Sequence, residues 1–87
     1  MEIFYSPQFV RDYRQLPVEV KEKAKKKERI FRKNLFDSRL KTHKLKGRLD
    51  GFWAFSIDFR YRIIFKFQNN NTVRFYVIGD HSVYKKL

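Results

Sequence analysis

Eighty-seven residues, 43% hydrophobic and 18% aromatic, suffice for one domain with one modest core and are too apolar for a disordered tail. The absence of cysteine excludes a disulfide framework, and two histidines alone leave no set for a structural zinc site. Against 9 Asp and Glu the chain sets 21 Lys and Arg, a net charge of +12 that repels itself and attracts polyanions, nucleic acid first among them.

The opening Met1-Glu-Ile-Phe-Tyr5 has neither the basic nor the apolar stretch of a leader peptide. No apolar run is long enough to span a membrane, so a soluble cytoplasmic chain without a membrane partner is expected. Glu2 to Tyr5 reads as a short strand. Ser6-Pro7 then reads as a helix N-cap followed by proline at the first helical position, where the missing N–H costs nothing. Phe9, Val10 and Tyr13 fall on one helical face, and Leu16-Pro17 breaks the helix because a residue before proline is steered out of the α region. A second helix from Val18 to Asn34 carries Val20, Ala24, Phe31 and Leu35 as its apolar stripe, widened by Ile30. Its other faces are basic, and Arg32 and Lys33 suit the negative end of the helix dipole.

From Asp37 to Gly51 the chain is polar and basic, a loop with a short strand around His43 to Lys46. Three antiparallel strands are then predicted over 52–58, 61–67 and 72–78, the last two joined by a turn at Gln68-Asn-Asn-Asn71. Alternation assigns Trp53, Phe55 and Ile57, then Tyr61, Ile63, Phe65 and Phe67, then Val73, Phe75 and Val77 to a face packed on the helices. The opposite face, with Ser56, Arg62, Ile64, Lys66, Arg74 and Tyr76, is expected to be open. The expected fold is α+β: one domain over residues 1–87, a short N-terminal strand and a two-helix hairpin packed on a small, mainly antiparallel sheet.

No Ser/His/Asp order, paired-carboxylate motif, Gly-rich phosphate loop or metal-ligand spacing is present. What remains is His, Arg, Lys and Tyr, a set suited to RNA scission without a metal. A base removes the 2′-hydroxyl proton, cations stabilise the charge on the phosphorane, and an acid protonates the leaving 5′-oxygen. His81 leads, because only histidine titrates unperturbed near neutrality; structurally it reads as a surface histidine in a tail or a cap on the sheet edge. Arg62 points by alternation to the open face, where it could equally pair with Asp58 or Asp80. Arg60, one pleat earlier, takes its place if the register slips by two. Lys41, Lys44, Lys46 and Arg48 read as residues that neutralise a nucleic-acid backbone.

Lys44-Leu-Lys-Gly47 with Arg48 behind it precedes a Trp-bearing strand, Tyr61-Arg-Ile-Ile-Phe-Lys-Phe67, and Thr72-Val-Arg-Phe-Tyr-Val-Ile78 running into Gly79-Asp-His-Ser-Val-Tyr84. That order resembles the RelE/ParE toxin superfamily over nearly the whole chain. The resemblance implies a toxin of a type II toxin–antitoxin system, acting as a metal-independent, ribosome-dependent mRNA endoribonuclease that inhibits translation. It implies as partners a separate cognate antitoxin, the ribosome and mRNA, with no cofactor. Residue by residue, His81 stands where a YafQ-like branch places a catalytic histidine and other members an arginine. Arg62 is similar to a phosphate-stabilising arginine, and Tyr84 to a tyrosine that stacks on or activates the RNA, unless it simply pins the tail. His43, in Thr42-His-Lys-Leu-Lys-Gly47, resembles a second YafQ-like histidine, or packs against Leu45. The chain departs from the pattern at Ala54, Phe55 and Ser56, where lysines or a histidine are common, and Asp58 is out of step with the expected acidic partner. These departures count against the nuclease without favouring gyrase inhibition, and two other functions stay open: a ParE-like, non-catalytic inhibitor of DNA gyrase, and a basic RNA-binding module with degraded catalytic residues.

Overall fold

The chain turns from β1 (Glu2–Tyr5) into α1 (Pro7–Arg14) at Ser6, a buried serine that works in two directions. Its Oγ accepts the Phe9 N–H at 3.0 Å, capping the helix, and donates to the Tyr76 carbonyl at 2.7 Å, 70 residues on. Pro17 then separates α1 from α2 (Val18–Lys33). This computed structural model describes residues 1–87. Short 3-10 turns at Ser38–Leu40 and Gly47–Leu49 flank β2 (His43–Lys44); β3 (Trp53–Ser56), β4 (Arg62–Asn69) and β5 (Thr72–Gly79) follow, and a 3-10 helix over His81–Lys85 comes last.

The five strands form one sheet in the order β1-β5-β4-β3-β2, with β1 parallel to β5 and every other pair antiparallel. Two helices on a mainly antiparallel sheet is the expected α+β fold. Boundaries differ for local reasons. β3 ends at Ser56 because the Asp58 carboxylate takes the N–H groups of Arg60 and Tyr61, curling the chain before it can extend. The expected strand at His43 keeps only two residues, since the chain enters a 3-10 turn at Gly47. The β4–β5 connection is tighter than expected: Asn69 and Thr72 already pair, and Asn69 Oδ1 accepts the Asn71 N–H at 2.9 Å.

The helix side of the sheet holds the main core, with Phe31 of α2 at its centre. Its ring stacks on Phe55 at 4.8 Å between centroids and meets Phe65 and Phe75 edge-on at 5.1 and 5.4 Å. Phe9, Ala24, Leu40, Ile57, Ile63 and Val73 close around this group. No helix is long and apolar enough to cross a membrane.

Strict alternation fails at two points of the β4–β5 pair, one beside the Asn69 turn and one within the strands. Ile64 pairs with Val77 but Phe65 pairs with Phe75, so Tyr76 is an extra residue, a β-bulge. Val77, expected on the helix face, therefore joins Ala54 and Ile64 on the far side, and Ile78 enters the main core instead. Nor is the far side open as expected. Val83 of the last 3-10 helix, fully buried, packs on Ala54, Ile64 and Val77, with Leu45, Phe52, Tyr84 and Leu87 around it. Two features hold that helix down. Gly79 lets Val83 approach so closely that an added Cβ would lie 3.0 Å from Val83 Cγ1. The Arg48 guanidinium donates to the Tyr84 carbonyl and to a main-chain oxygen of Leu87. Gly79→Ala is accordingly expected to push the 81–85 helix outward and cost about 1–3 kcal/mol, the usual penalty of overpacking. Urea denaturation measures the cost, and faster amide exchange confined to residues 80–87 locates it.

Candidate functional site

The far face of the sheet carries the candidate residues, and the strand register decides which of them meet. One row across the sheet reads Ser56, Arg62, Gly79; the next reads His43, Ala54, Ile64, Val77. Arg62 thus lies beside the glycine that leads into Asp80 and His81. His43 is at the opposite edge, with β3 and β4 between it and β5.

Arg62 does not make the carboxylate pair expected as its structural alternative. Nη1 donates to the carbonyls of Asp58 at 2.6 Å and Tyr61 at 3.0 Å, and Nη2 to that of Phe59 at 3.1 Å. It clamps the 57–61 loop from one side. Asp58 clamps it from the other, its carboxylate accepting the Arg60 and Tyr61 N–H groups at 2.8 Å each and Lys23 Nζ at 3.3 Å. Burial pushes the Asp58 carboxyl up, but those two N–H groups and the Lys23 ammonium outweigh it and hold the group below the ordinary aspartate value. Arg60 sits in this loop and not on the strand, so the alternative of a register slip is not what the chain adopts; its guanidinium lies 5.5 Å from the Tyr61 ring centre.

His81 opens the last 3-10 helix with an exposed ring. Asp80 caps that helix by accepting the Ser82 N–H at 2.9 Å, which holds its carboxyl below the ordinary value, with the charges of Arg60 and His81 adding to the effect. Asp80, His81 and Arg60 are therefore one electrostatic group beside Arg62. Tyr84 is half-buried in the far-side cluster, so its ring does pin the helix. His43 is exposed, not packed away; its Nδ1 lies 2.9 Å from the Lys41 carbonyl, leaving Nε2 free. Lys41 is the one non-glycine residue with positive φ, 54°, a left-handed conformation that costs ~1–2 kcal/mol and aims the following segment into β2. No three of the His, Asp and Glu side chains come together to hold a metal ion.

Among the expected phosphate contacts, Lys46 is exposed, Lys44 lies 5.6 Å over the Trp53 ring, and Arg48 is engaged with the last 3-10 helix. A cavity of about 310 Å³ gathers residues that no motif had linked: Lys27, Arg39, Lys41 and Arg62, with Ser56, Ile57, Asp58 and Phe59. Arg39 is paired with Asp37, whose carboxyl is lowered to about 2 chiefly by the Arg39 hydrogen bond. Lys66 over Phe52 at 4.6 Å, and Arg74 by Tyr76 at 5.7 Å, make a second cationic and aromatic strip on the far face. Lysine content signalled a charged helix in the sequence; nothing in it placed Lys27 opposite Lys41.

The fold has counterparts among known proteins. The family described as the ParE toxin of type II toxin–antitoxin systems, parDE, matches residues 3–83. Among solved structures, a YoeB/ParE toxin from Agrobacterium tumefaciens is 19% identical, with a TM-score of 0.78 over 93% of this chain and 99% of that one. YafQ from Escherichia coli is 22% identical, also at 0.78, over 95% and 96%. The E. coli DinJ–YafQ toxin–antitoxin complex contains a chain 23% identical at 0.75, over 94% and 93%. No curated protein matches by sequence.

The Asp58 clamp yields a test of how the site is held. In the unfolded chain an aspartate titrates near ~3.9. Because the folded value is lower, the clamp stabilises the protein above about pH 4, and that contribution is lost as pH falls through the folded value. Asp58→Ala should cost roughly 1–2 kcal/mol at neutral pH by orphaning two backbone donors, and should flatten the fall in thermal midpoint between pH 4 and 2. Melting curves of both proteins across that range check it.

Proposed function

The chain belongs to the ParE toxin family of type II toxin–antitoxin systems, within the RelE/ParE superfamily, and on that premise we propose that it is an endoribonuclease cutting mRNA on the ribosome. The observation that carries this reading is the register placing Arg62 beside Gly79, which leads directly into Asp80 and an exposed His81, with the Arg60 charge also acting on the Asp80 carboxyl. His81 serves as general base or acid: it takes the proton from the 2′-hydroxyl as that oxygen attacks phosphorus, or gives one to the departing 5′-oxygen. Arg60 supplies the mobile cation for the phosphorane, since Arg62 has committed three hydrogen bonds to the loop and positions its neighbours. Tyr84 and His43 border the same face, and Lys41, Lys44 and Lys46 neutralise backbone phosphate. A cognate antitoxin of acidic character binds the basic chain; the toxin–antitoxin complexes of YafQ with DinJ and of YoeB with YefM support an antitoxin partner.

The family match itself favours keeping a second reading, a gyrase inhibitor that catalyses nothing. His81→Ala separates the two. Loss of an acid–base group lowers cleavage by about 10²–10⁴-fold, so this variant should fold, bind antitoxin and no longer arrest growth or generate new mRNA 5′ ends. Arg60→Ala should slow cleavage by roughly 10²–10³-fold with ribosome binding retained. Arg62→Ala should lose rate and thermal stability together, and Arg62→Lys should restore little of either, because a lysine cannot fork between three carbonyls. Should wild-type protein leave ribosome-bound mRNA intact while blocking gyrase supercoiling, the second reading replaces the first.

Ribosome affinity follows from charge. The Lys21–Lys33 face of α2 and the 39–48 segment carry most of the excess cations. Counterion release predicts binding that falls by about 0.7–0.9 log units per contacted phosphate for each tenfold rise in salt. Sedimentation with 70S particles across a salt series measures the slope, and a flat line rejects the electrostatic account.

A further inference from the structure

One side chain stands apart from the residues assigned so far. Phe59 is 89% exposed, the most exposed of the large hydrophobic side chains. Of the ten phenylalanines, eight pack against another ring; Phe59 does not. Exposure alone would mean little if the loop were loose. Here the loop is the best-clamped turn in the chain, with the Asp58 carboxylate on two N–H groups and Arg62 on three carbonyls, one of them that of Phe59 itself. The ring is presented from a fixed backbone.

Phe59 also lines the mouth of the cavity that holds Lys27, Arg39, Lys41 and Arg62, against the single carboxylate of Asp58, which Lys23 already meets. Lys27 gives one long hydrogen bond to the Arg39 carbonyl, and its other donors are free. Lys41 reaches the cavity from the left-handed residue of the segment. A flat apolar ring beside a basic hollow is what single-stranded nucleic acid requires, a stacking surface for a base and cations for the phosphate attached to it. A protein partner would more naturally seek a broader apolar patch than one ring surrounded by lysines.

We propose that Phe59 is a stacking platform for one unpaired base of the bound RNA, with the adjoining phosphate held at the cavity mouth by Lys27 and Lys41. This subsite rests on the RNA reading above and extends it: the strand passing His81 continues over the 57–61 loop, and Phe59 fixes its register without touching the bond that breaks. Stacking tolerates every base, so the contact sets position and affinity and leaves sequence choice to other groups.

The test uses a labelled oligouridylate and an abasic ribose-phosphate oligomer of the same length, titrated against wild type, Phe59→Ala, Phe59→Trp and Lys41→Ala. Wild type should favour the base-bearing oligomer by about tenfold or more, the usual scale of base–aromatic stacking. Phe59→Ala should bind both oligomers equally, at the abasic affinity of wild type. Phe59→Trp should regain the preference, with its emission quenched by the bases. Lys41→Ala should weaken both alike and reduce the salt slope by about 0.7. If Phe59→Ala keeps the full preference for bases, the platform is refuted while the RNA reading stands. Release of the cognate antitoxin by Phe59→Ala with RNA preference unchanged refutes it in favour of a protein contact. Failure of wild type to bind either oligomer removes both the platform and the RNA reading.

Discussion

The bulge at Tyr76 is the constraint from which the rest of the molecule follows. A sheet with strict alternation would present one apolar face to the helices and one polar face to water. The extra residue turns Val77 away from the helices and Ile78 towards them, so that Val77 falls in line with Ile64 and Ala54 on the far face. Val83 can then bury itself against Val77, Ile64 and Ala54, and with it comes the 3-10 helix that starts at His81. Ser6 reinforces the same point by donating to the Tyr76 carbonyl that the bulge exposes. Fold and site are thus joined at one residue of irregular backbone.

A second theme is how so basic a chain satisfies its cations. With only 9 acidic residues, several of the key Lys and Arg donors turn to main-chain carbonyls. Arg48 meets Tyr84, Arg62 meets three loop carbonyls, and Lys27 meets Arg39. A carbonyl accepts the hydrogen bond without cancelling the charge. Geometry is fixed locally while the long-range field of the whole molecule persists, which is the condition for drawing in a polyanion. Ion pairs such as Arg39 with Asp37 stabilise little at an exposed surface and serve to trim that field in particular places.

Periodicity made the layers legible in the sequence: Phe31, Phe55, Phe65 and Phe75 stand where a helix stripe and alternating strands put them. The face of Val77 could not be read, because a bulge leaves no mark in hydrophobic pattern when apolar residues flank it on both sides. Nor could the covering of the far face, since a five-residue 3-10 helix is too short for any period to show. At the site, His81 and Arg62 were identifiable as residue types. Their partners were not: hydrogen bonds to carbonyls have no side-chain signature, so Arg48 and Arg62 looked like free cations until their surroundings were known. The cavity joining Lys27 to Lys41 depends on how α2 lies against the Ser38–Leu40 turn, a tertiary matter throughout.

The parallel pairing of β1 with β5 has a temporal consequence. A ribosome makes Glu2–Tyr5 long before Thr72–Gly79, yet neither strand has its full set of partners without the other. Ile3 and Phe9 leave the exit site with nothing to bury against, and pairing across 70 residues must wait for β5. Since the helix bearing His81 docks onto that same terminal strand, a nascent chain has no partly assembled form of the site. The far-face cluster and the 3-10 helix that covers it therefore assemble together, once β5 has been made.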